Sequence, residues 1–98
     1  MDVTHNPDLE QLDCSENRLR TLDMSQNRNL QVLFCSKNQL KDIDVIHNQK
    51  LRELVCFDNE NLSLDVSANR NLEFLSCDGL LPVSYTHLRA HETLMNLV

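Results

Sequence analysis

The chain repeats itself every 21 residues, and this period restricts its architecture more than any single motif does. Leu9, Leu30, Leu51 and Leu72 share one column, and Leu12, Leu33, Leu54 and Leu75 share another. Cys14, Cys35, Cys56 and Cys77 form a third, and Asp2, Asp23, Asp44 and Asp65 a fourth. Asn6, Asn27, Asn48 and Asn69 make the fifth, with Asn17, Asn38 and Asn59 in the sixth. Self-similarity at such a period marks stacked supersecondary units. Within each unit Leu12 and Cys14, or Leu33 and Cys35, stand two apart, which puts both side chains on one face of a short extended segment. A single unit cannot bury that face. Stacking units at the strand spacing of about 4.8 Å yields a parallel sheet over a continuous leucine core.

The second half of each unit echoes the first, since Leu22, Met24 and Asn27 repeat the spacing of Leu12, Cys14 and Asn17. Only about ten residues separate the two extended segments of a unit, too few for a full helix on the return path. Asn, Ser and Asp at the bends supply turn chemistry instead. The expected fold is a right-handed solenoid of short parallel strands and turns with little helix, in about four coils of 21 residues.

The coils read LEQLDCSENRL, LQVLFCSKNQL, LRELVCFDNEN and LEFLSCDGLLP. The first two satisfy L-x-x-L-x-C-x-x-N-x-L in full and the third nearly so. This resembles the leucine-rich repeat. With cysteine in the strand and LDVSxN on the return, it is similar to the short repeats of bacterial surface proteins, broadly internalin-like. The resemblance covers Met1 to about Leu81. It implies a non-catalytic module, secreted or at the cell surface, that binds a protein ligand or a glycan and is flanked by further repeats of its parent. A structural spacer in a longer array, or the substrate-recognition region of a secreted effector, are the other roles such a segment fills.

Composition narrows the choice of partner. A length of 98 residues allows one small domain at most. Fifteen acidic against nine basic side chains give a formal charge of −6, with the signs interspersed. Nucleic acid is a poor match for that balance. No run approaches the roughly 20 apolar residues of a membrane span, and MDVTHNPDLE has neither the basic nor the apolar part of a signal peptide. No nucleophile–base pairing, phosphate loop or metal cluster stands out, so no enzyme chemistry and no cofactor are expected.

Each column has a structural task. Cysteines 21 residues apart form a straight row, which cannot wrap a metal tetrahedrally. Parallel side chains should also hold their Cβ atoms beyond the roughly 3.8 Å that a disulfide prefers, so free buried thiols are expected. The asparagines look like ladders that satisfy backbone groups at the bends. The aspartates read as solvated surface carboxylates rather than a calcium site, because no glycine-rich calcium loop accompanies them. His5 and His47 lie two coils apart, roughly 10 Å by strand spacing, too far to share a metal.

The residues that alternate with the inward Leu and Cys must face the concave side. They are Gln11, Asp13 and Ser15, then Val32, Phe34 and Ser36, then Glu53, Val55 and Phe57, then Phe74, Ser76 and Asp78. All three phenylalanines of the chain fall in this set. Val32, Phe34, Val55, Phe57 and Phe74 should form one apolar patch bordered by Glu53, Asp13 and Asp78, the expected contact surface.

Both ends depart from the pattern. Met1 stands in the column of Leu22, Ile43 and Leu64, which predicts a start in mid-coil without a cap. Asn61 replaces the leucine of Leu19 and Leu40, which predicts a local bulge. From Pro82 no column continues, and 82–98 holds the only Tyr and half of the four His. His87 and His91 are one helical turn apart with Glu92 beside them, a metal-like spacing. Yet VSYTHLRAHET resembles, residue for residue, one reading frame of a transposase-type sequencing adapter. The expected organisation is therefore a leucine-rich-repeat fragment over 1–81 and a non-native tail over 82–98, joined by read-through in a metagenomic sequence.

Overall fold

The computed structural model describes residues 2–60 and 62–77. Within them the chain forms six short strands: β1 (Gln11–Asp13), β2 (Val32–Phe34), β3 (Asp42–Ile43), β4 (Glu53–Val55), β5 (Ser63–Leu64) and β6 (Phe74–Ser76). No described residue is helical. β1, β2, β4 and β6 make a parallel sheet in that order, and β3 and β5 a second parallel pair on the return side. The register advances by one repeat per strand, with Leu12, Leu33, Leu54 and Leu75 side by side. This is the leucine-rich-repeat solenoid that the columns predict.

The period of the sequence becomes a period of hydrogen bonds. Gln31 N donates to Glu10 O at 2.7 Å, Arg52 N to Gln31 O at 2.8 Å and Glu73 N to Arg52 O at 2.8 Å at the strand entries, and the next residue in each coil, Val32, Glu53 or Phe74, donates to the same carbonyl. Leu30, Leu33, Leu40, Leu51, Leu54 and Leu75 are fully buried, with Met24, Val45 and Val66 closing the core from the return side. Burial of each large side chain contributes about 1.5–3 kcal/mol. The first coil is less complete: Leu9, Leu12, Leu19 and Leu22 are only partly buried.

Two asparagine ladders stitch the coils. Asn59 Nδ2 donates to the carbonyls of Cys35 and Cys56 at 3.0 and 3.1 Å, while its Oδ1 accepts from Leu40 N at 3.1 Å. Asn38 repeats the arrangement one coil earlier on Cys14, Cys35 and Leu19. On the return side Asn48 Nδ2 donates to Met24 O and Asn27 O, and Asn69 Nδ2 to Val45 O and Asn48 O. Each amide therefore ties its own coil to the one before it. The residue preceding each inner-ladder asparagine, Glu16, Lys37 or Asp58, adopts a left-handed backbone with φ of 60°, 59° and 57°. Non-glycine residues reach that region at a cost of about 1–2 kcal/mol, which the adjacent ladder bonds offset.

The cysteine column departs from the expectation of free thiols throughout. Cys56 and Cys77 form a disulfide, while Cys14 and Cys35 are free and buried. The Cα atoms of the bonded pair are 5.2 Å apart, inside the range a disulfide spans. A disulfide holds its Cβ atoms within about 4.5 Å of each other, so at this pair the two Cα–Cβ bonds converge instead of running parallel as expected. Burial pushes the Cys35 thiol up to about 12, with the neighbouring Cys14 adding to the shift. Cys14 is raised too, first by burial and then by the Asp13 carboxylate.

The bulge expected at Asn61 falls outside the described residues. Around it the pairing stays regular, with Asp42 opposite Ser63 and Ile43 opposite Leu64, and Leu62 is buried. Asp78 and the tail 82–98, with His87 and His91, also lie outside the described residues.

Candidate binding face

The register lays the outward residues of the four-stranded sheet in rows. Gln11, Val32, Glu53 and Phe74 form one row, and Asp13, Phe34, Val55 and Ser76 the next. A third continues through Ser36 and Phe57, where Lys37 N donates to Phe57 O at 2.9 Å. Phe34 thus pairs directly with Val55, and Phe57 follows Val55 on the same side of its strand. Val32, Phe34, Val55, Phe57 and Phe74 are all half-buried. Glu53 is exposed and stands between Val32 and Phe74, so its carboxylate lies within the apolar patch and not at its border. Asp13 is exposed beside Phe34 at the β1 edge. Ser36 differs from its expected place on the concave surface, being only 3% exposed.

Charge near the face is unevenly matched. Lys37 Nζ reaches Glu16 Oε1 at 3.8 Å, and Arg52 Nε donates to Glu73 Oε2 at 2.6 Å, each pair joining adjacent coils. Glu53 and Asp13 are in neither pair. The face consequently offers apolar side chains around a local excess of negative charge.

The return side is built differently. Asp2, Asp23, Asp44 and Asp65 are exposed, and each closes a turn by accepting the backbone N–H two residues ahead, at 2.8 to 3.0 Å. Thr4 and Ser25 add a hydroxyl bond of 2.6 Å to Asp2 and Asp23. Sequence reasoning missed this task, although the signal was present: a hydroxyl residue follows Asp2, Asp23 and Asp65 at the second position. Ile46 breaks that series and is 53% exposed, an outlying apolar group on this side. It borders a depression of about 260 Å³ shared with Asp42, Asp44 and Asp65. Among the described residues no group of three or more His, Cys, Asp or Glu is placed to hold a metal ion.

These aspartates give the fold a dependence on acid. The Thr4 and Ser25 bonds hold the Asp2 and Asp23 carboxyls below the ordinary value of 3.8. A folded-state value below the unfolded one means that the stabilisation is complete above 3.8 and is lost as pH falls through the lowered value. Urea unfolding across that window should show a fall in stability that Asp23→Asn makes shallower. An identical acid profile for that variant would contradict the assignment.

A solved structure has a similar fold. Over 90% of this chain and 21% of the other, the fold superposes on the functional domain of InlJ from Listeria monocytogenes, which includes a cysteine ladder, with a TM-score of 0.80 and 34% identity. This is an internalin-like leucine-rich-repeat solenoid. The internalin-like segment spans about a fifth of the length of the chain it matches, at 21%. No family model matches it, and no curated protein does. Among its described residues no helix is long and apolar enough to cross a membrane.

Proposed function

We propose that this segment is a non-catalytic protein-binding module of a bacterial surface or secreted protein, engaging its ligand through Val32, Phe34, Glu53, Val55, Phe57 and Phe74. One observation carries the reading: the core is closed by fully buried leucines and cysteines, yet three phenylalanines and two valines stand only half-buried on the opposite face of the same sheet. Those side chains add little to the core. Large aromatic groups gathered on a sheet face are the anchors on which protein interfaces concentrate their energy. Glu53 within the patch and Asp13 beside it favour a ligand segment that presents a basic group among apolar ones. Flanking repeats of the parent would widen the same surface.

Replacing Phe34, Phe57 and Phe74 together by Ser in the full-length protein should weaken ligand binding by at least about 100-fold, since each anchor carries roughly 1–2 kcal/mol. Ile46→Ser on the return side should leave affinity unchanged. Unaltered binding by the triple variant, with its circular dichroism spectrum intact, would instead leave the repeats as a spacer.

A further inference from the structure

Behind the proposed face run four cysteines on neighbouring strand exits, and only Cys56 and Cys77 are bonded. The hydrogen bonds around them recur at every step. Cys14 N donates to Phe34 O at 2.8 Å, Cys35 N to Val55 O at 2.9 Å, and Cys56 N to Ser76 O at 2.9 Å. Each cysteine therefore stands in the same register to the next, the register in which Cys56 and Cys77 bond across 5.2 Å between Cα atoms. A cysteine in such a row can bond only to the one before or the one after. With Cys56 engaged, Cys35 has Cys14 as its one adjacent partner. The other phase, Cys35 with Cys56, would strand Cys14 and Cys77 three coils apart, about 14 Å by strand spacing and beyond disulfide reach.

We propose that Cys14 and Cys35 are a second redox pair, which closes to a disulfide under a low-molecular-weight disulfide oxidant and gives the column two bonds in a fixed phase. In the reaction the two thiols give up two protons and two electrons. One S–S bond forms between Cys14 and Cys35, and the S–S bond of one oxidant molecule breaks to two thiols. Closure clamps β1 to β2 as Cys56–Cys77 clamps β4 to β6, and leaves the seam between Phe34 and Val55 without a covalent link. Cys14 and Cys35 are 1% and 0% exposed, so oxidant reaches them during folding or when the first coil opens. In that coil Leu9, Leu12, Leu19 and Leu22 are only partly buried.

Peptide mapping tests the phase. The reduced, unfolded chain is refolded in a buffer of oxidised and reduced glutathione, blocked with iodoacetamide in denaturant, and digested with trypsin without reduction. Arg18, Lys37 and Arg70 lie between successive cysteines, so each cysteine falls in its own peptide. The expected products are the Cys14–Cys35 and Cys56–Cys77 cross-linked pairs with all four thiols lost to alkylation. In Cys35→Ser the Cys56–Cys77 link should persist and Cys14 should be alkylated. Alkylated Cys14 and Cys35 beside an intact Cys56–Cys77 bond, or a Cys35–Cys56 link, would overturn the proposal.

Discussion

Asn59→Ala should lower the unfolding free energy by roughly 3 kcal/mol, because a buried N–H loses its acceptor and two carbonyls lose a donor at about 1–3 and 1 kcal/mol each. Asn59 is only 4% exposed, and Leu40, whose N–H it accepts, is fully buried. Water cannot replace the amide there without opening the coil. The loss is moderated because one of the two cysteine carbonyls is shared: Cys35 O still accepts from Asn38 Nδ2 at 3.0 Å when Asn59 is gone. Leu40 N has no such reserve among the ladder bonds. Asn59→Asp keeps an acceptor for Leu40 but brings a carboxylate up to the carbonyls of Cys35 and Cys56, so it should be more damaging than Ala at neutral pH. Urea unfolding followed by circular dichroism would check both. A loss under about 1 kcal/mol for Ala would mean that the inner ladder is incidental to the fold.

Reduction of Cys56–Cys77 is the second large effect expected. The bond closes a loop of 21 residues, for which the chain-entropy relation gives about 3 kcal/mol. Nearly all of that should arise in the unfolded chain. Cys14 and Cys35 show that reduced thiols fit the same column with full burial, so the folded solenoid has little to lose when the bond opens. For a domain of this size the corresponding fall in Tm is roughly 12–24 °C. Cys56→Ala with Cys77→Ala should reproduce most of the fall without any reductant. An unchanged Tm on reduction, with loss of the bond verified by alkylation, would contradict this account.

The columns made the solenoid readable because a 21-residue period fixes both the register and the inward face at once. Leu33, Leu54 and Leu75 could be placed side by side from spacing alone, and the asparagine ladders followed from the need to satisfy backbone groups at bends. Side-chain rotation was less legible. The cysteine spacing shows which residues are neighbours but not how far the Cα–Cβ bonds of each pair converge, so the Cys56–Cys77 bond was missed. The aspartate column hid its role because the accepting oxygen meets an N–H two residues ahead, a local geometry that no inter-coil argument reaches. Left-handed Glu16, Lys37 and Asp58 were equally obscure, since such residues normally avoid that region. One clue stood in their own column, where Gly79 occupies the next position.

The candidate face is a reading of alternation, which places Phe34, Phe57 and Phe74 opposite the buried Leu and Cys row, where all three are half-buried, but cannot foresee that Ser36 would be covered. Nor does it show that Glu53 falls inside the patch, which depends on the pairing of three strands at once.

The central claim, that ligand meets the concave strand face, is tested most directly by site-specific photocrosslinking in the full-length protein. A photoreactive phenylalanine analogue is placed singly at Phe34, Phe57 or Phe74, and at Ile46 and Ser67 on the return side. Adducts with the ligand should form from the three concave positions and be absent from the two return-side ones. Adducts from Ile46 or Ser67 alone, or equally from both sides, would contradict the assignment of the face.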